Sequence, residues 1–165
     1  MGCHVGDVPN VGDYFSFDMV GERALIMRGK DNVVRAFHNV CRHRGSRVVA
    51  SQRGTCKSAI VCPFHGWSYN LDGTLRAVPQ AKSLPKLDPV EHGLPPIEFE
   101  IWHGFVFVRF LPGEQPPVAQ MLAPHEDVIS HYKMEDVKPY GQKSAQGMAW
   151  NGKFVRNGGK GGYRV

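Results

Sequence analysis

Alternating apolar and polar residues, with short apolar runs, dominate the first third of the chain. They predict strands over residues 13–18, 23–28 and 33–38, separated by turns at Gly21 and at residues 29–32. Successive side chains of a strand point to opposite faces, so such alternation is typical of a sheet that buries one face. The third predicted strand leads directly into a short loop that contains Cys and His.

Further short strands are predicted after this loop. They lie at residues 48–50, 58–61, 67–69 and 74–76, and a closing hairpin follows at 98–102 and 105–110. The connector before that hairpin, residues 78–96, contains five prolines and is therefore expected to be irregular.

The spacing of apolar residues changes after Gly113. From Pro117 to Tyr132 they recur at three- and four-residue steps, which predicts a largely helical segment that Pro124 bends or breaks. Another strand is expected at 137–142. Together these elements predict a mostly β fold: a small antiparallel β-sandwich with two ligand-bearing hairpin loops, followed by a short helical segment.

Composition narrows the class of protein. A length of 165 residues with 42% hydrophobic content suits one domain, or one domain and the beginning of a second. The net charge is +5, but Lys and Arg are scattered, so no nucleic-acid partner is expected. A basic face would suit an acidic electron-donor protein, and a merely solvated surface fits equally well. The absence of a leader or a long apolar run predicts no membrane span and a cytoplasmic location.

Two loops carry candidate metal ligands. Cys41 and His43 lie in the first loop, and Cys62 and His65 lie in the second. Two thiolates and two imidazoles suit either tetrahedral zinc or an iron-sulfur cluster. A zinc ribbon usually contains a Cys-x-x-Cys pair, which both loops lack. One Cys and one His on each loop fits better with two metals, as in a Rieske [2Fe-2S] centre, although zinc or unconnected structural residues remain open.

The residues around these ligands form a longer motif. It reads Asn39-Val40-Cys41-Arg42-His43-Arg44-Gly45, Val61-Cys62-Pro63-Phe64-His65-Gly66-Trp67-Ser68-Tyr69, Leu71-Asp72-Gly73 and Ile101-Trp102-His103-Gly104-Phe105-Val106-Phe107. In this motif the chain resembles the alpha subunit of Rieske non-haem iron oxygenases of the aromatic-ring-hydroxylating kind. The resemblance implies a [2Fe-2S] cluster, with Cys41 and Cys62 on the inner iron and His43 and His65 on the outer iron. It also implies a reductase or ferredoxin as electron donor and a homo- or hetero-oligomer.

The same motif predicts a cluster of low reduction potential. High-potential Rieske proteins have an extra Cys in each loop and a Ser that donates a hydrogen bond to a bridging sulfide. Ser46 and Phe64 stand at those Cys positions here, and Trp67 stands at the Ser position. Because hydrogen bonds to sulfur stabilise the reduced cluster, their loss is expected to lower the potential.

The resemblance also predicts the division of the chain. Residues 1–110 are expected to form the Rieske domain, and residues 111–165 the truncated start of a catalytic domain whose last stretch, about 14 residues, is disordered. Gly161 and Arg164 stand where family members have two ligands of their catalytic iron, and arginine has no lone pair for a metal. No catalytic residue is therefore expected in this chain, and independent oxygenase activity is doubtful.

Two alternative functions remain at this level. The first is a stand-alone Rieske ferredoxin that only carries electrons, and the second is an interaction module stabilised by zinc. Of the other candidate ligands, His38 is expected to be an ordinary strand histidine and Cys56 a semi-buried thiol. Cys3 is expected to lie in an untethered N-terminus.

Overall fold

A computed structural model describes residues 1–79, 87–111 and 113–137. In these ranges the strands are β1 (Cys3–His4), β2 (Asp13–Met19), β3 (Glu22–Arg28), β4 (Val34–His38), β5 (Arg53–Thr55), β6 (Ile60–Val61), β7 (Ser68–Tyr69), β8 (Leu75–Ala77), β9 (Glu98–Trp102) and β10 (Phe105–Arg109). They form antiparallel sheets with the strand orders β4-β3-β2-β5, β1-β10-β9 and β6-β7-β8. The predicted mostly β, antiparallel fold class is confirmed.

Strand β3 separates two hydrophobic clusters because its side chains alternate between two faces. Leu25 and Met27 belong to one cluster, together with both candidate ligand cysteines, and we call it the ligand-side cluster. Ala24 and Ile26 belong to the other cluster. The buried apolar run in the sequence at β3 is thus explained by packing on both faces of the strand.

The two candidate ligand loops are connected to the sheets in different ways. The second loop joins β6 to its antiparallel neighbour β7 and is a hairpin, as predicted. The first loop joins β4 and β5, which lie at opposite edges of the four-stranded sheet, so the hairpin predicted for it is wrong. β5 pairs with β2 instead, and residues 48–50, predicted as a strand, lie in the intervening loop.

The N-terminus also differs from its prediction. Cys3 pairs with Val106 in the sheet that contains the closing hairpin, and its side chain is buried. The expectation that Cys3 lies in an untethered segment is therefore wrong. A strand of two residues is too short to show a periodic pattern, so β1 was not predicted.

A helical segment follows the closing hairpin, as predicted. It contains α1 (Val118–Leu122) and α2 (Glu126–Ile129), with 3₁₀ turns at Ala123–His125, Ser130–Tyr132 and Met134–Asp136. Pro124 lies in the turn between the two helices, where its missing N–H group interrupts the α-helical hydrogen bonds. In the described ranges, no helix combines the length and the apolar character needed to cross a bilayer.

Several predictions concern residues outside the described ranges. They are most of the strand expected at 137–142, the ending expected to be disordered, and the positions of Gly161 and Arg164. The boundary expected between residues 110 and 111 stays a prediction.

Candidate metal centre

The two ligand loops share one backbone arrangement. In the first loop the Cys41 N–H donates to the Ser46 carbonyl (2.7 Å) and the Gly45 N–H donates to the Cys41 carbonyl (2.9 Å). In the second, the Cys62 N–H donates to the Trp67 carbonyl (2.8 Å) and the Gly66 N–H to the Cys62 carbonyl (3.1 Å). The spacing from each Cys is the same in both loops.

A glycine closes each of these turns. Gly45 has φ +72° and Gly66 has φ +69°, in the left-handed region that favours glycine. The two turns therefore require glycine at the same place, four residues after the Cys. This requirement gives a structural reason for Gly45 and Gly66 in the motif.

The cysteines of the two loops are buried together. Cys41 and Cys62 are each 2% exposed, belong to the ligand-side cluster and form no disulfide. Burial raises the pKa of the Cys41 thiol. A buried thiolate is costly unless a positive charge compensates it, so this pair suits metal ligands better than free thiolates.

One hydroxyl contacts the first of these sulfur atoms. The Tyr69 hydroxyl oxygen lies 3.2 Å from Cys41 Sγ and accepts a hydrogen bond from the Arg42 N–H at 3.0 Å. Because the backbone supplies a proton to the oxygen, the Tyr69 O–H remains free to donate to the sulfur. Tyr69 is completely buried, and burial raises its pKa, which keeps the hydroxyl protonated.

The histidines of the two loops lie side by side nearer the surface. The centroids of the His43 and His65 rings are 4.6 Å apart, and the rings are nearly perpendicular at 88°. His43 is partly buried and His65 is exposed. Partial desolvation, with repulsion from His65 and Arg44, lowers the pKa of His43. This favours the neutral imidazole, the form that binds metals.

One ring nitrogen of His43, Nδ1, is buried without a hydrogen-bond partner among the described residues. A buried polar atom without a partner is costly, whereas coordination to a metal would satisfy it. The donor set of two buried thiols and two imidazoles therefore fits a Rieske cluster. In the described part of the chain, no three His, Cys, Asp or Glu side chains gather closely enough for a single ion, and a Rieske cluster needs only two protein ligands on each iron.

Asn39 holds the two ends of the first ligand loop together. Its side chain is fully buried, and its Oδ1 accepts hydrogen bonds from the N–H groups of Val48 and Val49 at 2.9 and 3.1 Å. Its Nδ2 donates to the Val49 carbonyl at 2.8 Å and to Ser16 Oγ at 2.9 Å. Residues 41–46 thus lie in a loop whose base is fixed by one amide group.

The remaining candidates do not join this site. His38 lies in β4, with its Nδ1 3.4 Å from a carboxylate oxygen of Glu22, as an ordinary strand histidine. Cys56 is partly buried against the ligand-side cluster. The roles of Asn39 and Tyr69 were missed from the sequence, although both belong to the motif. The available signal was a polar Asn directly after a strand and a Tyr in a short hairpin strand.

Comparison with known proteins decides the family. Residues 1–88 match the family described as the Rieske [2Fe-2S] domain. The chain belongs to the Rieske [2Fe-2S] domain family. This match confirms the cofactor predicted from the motif, a Rieske-type [2Fe-2S] cluster, in preference to zinc.

The chain is similar to the oxygenase subunits of two monooxygenases. It is 36% identical over 110 residues to the carnitine monooxygenase oxygenase subunit of Escherichia coli (strain K12), which covers 67% of this chain and 29% of that protein. It is 36% identical over 133 residues to the glycine betaine monooxygenase oxygenase subunit of Chromohalobacter salexigens, covering 80% of this chain and 29% of that protein. The chain therefore spans less than a third of the length of these relatives.

Solved structures show the same fold for the Rieske domain. The apo form of the quaternary ammonium Rieske monooxygenase CntA matches with a TM-score of 0.74 at 30% identity, over 84% of this chain and 40% of that one. The naphthalene 1,2-dioxygenase F352V mutant bound to phenanthrene matches with a TM-score of 0.68 at 35% identity, over 75% of this chain and 28% of that one. The resemblance to Rieske oxygenases is thus confirmed.

Proposed function

We propose that this chain is the electron-transfer part of an oxygenase subunit, with Cys41 and Cys62 on one iron of the cluster and His43 and His65 on the other. The observation that carries the proposal is the division of the donors by depth. Both thiols are buried, whereas the two imidazoles lie together nearer the surface. When bound, a Rieske cluster supplies one-electron storage.

The residues of the chain have separate parts in this function. The buried cysteines keep their sulfur ligands away from water, and the neutral state favoured at His43 leaves a nitrogen lone pair for iron. The exposed His65 provides the point at which another protein can approach the centre closely. Exposed Arg42 and Arg44 flank His43 in the sequence and add positive charge beside it.

The proposed donor is a reductase or ferredoxin with an acidic docking face, because the charge near the histidines would attract it. The proposed recipient is a non-haem iron site outside the described residues. We also propose that the protein forms a homo- or hetero-oligomer. The oxygenase subunits among the relatives support this function over a stand-alone Rieske ferredoxin.

For the substrate, quaternary ammonium compounds are favoured over the aromatic rings predicted from the motif. Carnitine and glycine betaine monooxygenases are among the sequence relatives, and a quaternary ammonium monooxygenase is among the structural ones. An aromatic ring is the second candidate because of the match to a naphthalene dioxygenase.

The ligand assignment is tested by replacing one cysteine at a time in the purified chain. The unchanged chain is expected to contain two irons and two acid-labile sulfides, with a rhombic electron paramagnetic resonance signal after reduction by dithionite. Cys41→Ser is expected to lose the signal and most of the iron. Cys56→Ser is the matched control, since Cys56 lies outside the proposed ligand set and should retain both. Full iron and signal in Cys41→Ser would refute the assignment.

The substrate class is tested separately, by measuring oxygen uptake. The assay contains a reductase and the oxygenase of which this chain is proposed to be the electron-transfer part. Oxygen uptake should rise on addition of carnitine or glycine betaine and stay at the background rate with naphthalene. Uptake with naphthalene alone would favour the aromatic candidate.

A further inference from the structure

The indole ring of Trp67 lies flat against the imidazole of His43. The ring centroids are 5.3 Å apart and the planes are inclined by only 11°. Trp67 belongs to the second ligand loop, where its carbonyl accepts the Cys62 N–H hydrogen bond, whereas His43 belongs to the first. A side chain of one loop therefore covers a proposed ligand of the other.

Stacking is an uncommon way to restrain a metal-binding histidine, because a hydrogen bond usually does so. A metal-binding histidine commonly donates its second ring N–H to a carboxylate or carbonyl, which fixes the orientation of the ring. Nδ1 of His43 is the buried atom without a partner that metal coordination would satisfy, so the second ring nitrogen is Nε2, and among the described residues no hydrogen bond to Nε2 is recorded. The aromatic neighbours of His43 are Trp67 and the perpendicular His65.

The position of Trp67 is itself restrained. Its side chain is partly buried and packs against the ligand-side cluster, and its backbone is held by the turn of the second loop. Phe64 in the same loop is different, because it is 69% exposed and its ring is tilted by 34° to His65 at a centroid distance of 6.5 Å. Only the indole of these two side chains provides a fixed flat surface for a ligand ring.

We propose that Trp67 is a positioning residue for His43, whose ring plane it fixes by stacking so that the ligand nitrogen has one orientation. This inference rests on the proposed function, since it requires that His43 is a ligand of the cluster. Without the stack, the ring plane of the iron-bound imidazole would be less restrained against small tilts about its bond to Cβ. Different molecules would then hold the outer iron in slightly different geometries.

The test compares Trp67→Leu with Trp67→Phe in the cluster-loaded chain. Leucine keeps an apolar side chain without a flat face, whereas phenylalanine keeps a flat face. Trp67→Leu is expected to broaden the rhombic resonance lines, shift the midpoint potential and bleach about 2- to 10-fold faster in air, in line with the strength of an aromatic pair. Trp67→Phe should largely retain the line width, the midpoint potential and the bleaching rate of the unchanged chain. Phe64→Leu, the matched control, should leave them unchanged.

The outcomes separate positioning from a purely structural role. If Trp67→Leu lowers the yield or melting temperature but keeps the line width and potential of the loaded protein, the proposal is overturned. Should Trp67→Leu fail to fold, Trp67→Met provides the same comparison with another flexible apolar side chain. A failure of the proposed function appears earlier and differently, as the absence of a rhombic signal in the unchanged chain.

Discussion

At the residue scale, Tyr69 connects the two ligand loops through one hydroxyl group. It lies in β7, directly after the second loop, and contacts Cys41 Sγ and the Arg42 N–H in the first. The sequence predicted few hydrogen bonds to sulfur because Trp67 replaces the Ser of high-potential proteins. The structure adds one such bond from a different residue, which should offset part of the expected lowering of the potential.

Tyr69→Phe is therefore expected to lower the midpoint potential while the cluster is retained. The hydrogen bond stabilises the more negative, reduced cluster more than the oxidised one. A difference of about 1 kcal/mol corresponds to about 40 mV for a one-electron couple. Titration of the visible spectrum against redox mediators measures the shift.

The control for this change is Tyr14→Phe. Tyr14 also packs in the ligand-side cluster, but it lies in β2, and in the part of the chain that the structure describes no hydrogen bond joins it to a cysteine. The midpoint potential of the Tyr14→Phe variant should equal that of the unchanged protein. Equal potentials for both variants would contradict the role given to Tyr69.

At the scale of elements, Asn39 fixes the first ligand loop to the sheet that precedes it. A hairpin would hold the ends of the loop by strand pairing, but β4 and β5 lie at opposite edges of their sheet. The four hydrogen bonds of Asn39 supply a different closure. The buried amide thus replaces pairing that the topology does not allow.

Replacing Asn39 with Leu should destabilise the protein by about 2–4 kcal/mol, because it leaves several buried backbone groups without partners. Urea unfolding of the cluster-loaded protein measures this loss, and the cluster should be released at lower urea than in the unchanged chain. Asn70→Leu is the control, since within the described ranges the Asn70 side chain has one recorded hydrogen bond, to Thr74 Oγ1 at 2.9 Å, in a partly buried turn. A loss no larger for Asn39→Leu than for Asn70→Leu would argue against closure by Asn39.

These elements show what could be predicted from the sequence. Residues 13–18 and 23–28 were assigned correctly because alternation and apolar runs report directly on burial. Residues 48–50 were assigned wrongly. Val48 and Val49 are buried in a loop that the Asn39 hydrogen bonds hold in place, and an apolar run alone does not specify strand pairing. The ligands were found from residue type and spacing. The side chains that orient them lie in the same motif, but Trp67 and Tyr69 act on the other ligand loop, and a local pattern does not reveal such contacts.

At the scale of the whole molecule, the helical segment is attached to both ends of the closing hairpin. At the base, Arg109 pairs with Glu100 and also donates to the Pro116 carbonyl at 3.0 Å. The other carboxylate oxygen of Glu100 accepts the Val118 N–H at 2.9 Å, at the start of α1. These bonds cross the boundary predicted after residue 110 and hold residues 116–118 against the closing hairpin.

At the tip of the hairpin, His103 provides the second attachment. Its Nε2 lies 2.8 Å from a Glu126 carboxylate oxygen in α2, and its Nδ1 lies 3.6 Å from Glu135. The hydrogen bond with Glu126, followed by the charges of Glu126 and Glu135, raises the pKa of His103. The charged imidazolium is therefore the form that the folded contact favours.

This arrangement predicts a stability that depends on pH. A raised pKa in the folded state means that the contribution is fully present below the ordinary histidine pKa, near 6.5, and is lost as pH rises through the higher folded value. The urea midpoint of the unchanged protein should thus fall, relative to that of His103→Asn, as the pH rises above about 6.5. Asparagine suits the comparison because His103 has φ +46°, a region that Asn tolerates.

Hydrogen exchange locates the effect within the molecule. Amides of α2 and of the turn Met134–Asp136 should lose protection with rising pH in the unchanged protein, while amides of β2 and β3 should not. His4, which lies against Gly104 and contacts the Met134 carbonyl through Nε2 at 2.9 Å, is present in both proteins and so contributes equally to each. Parallel pH curves for the unchanged chain and His103→Asn would show that His103 does not hold the helical segment through its charge.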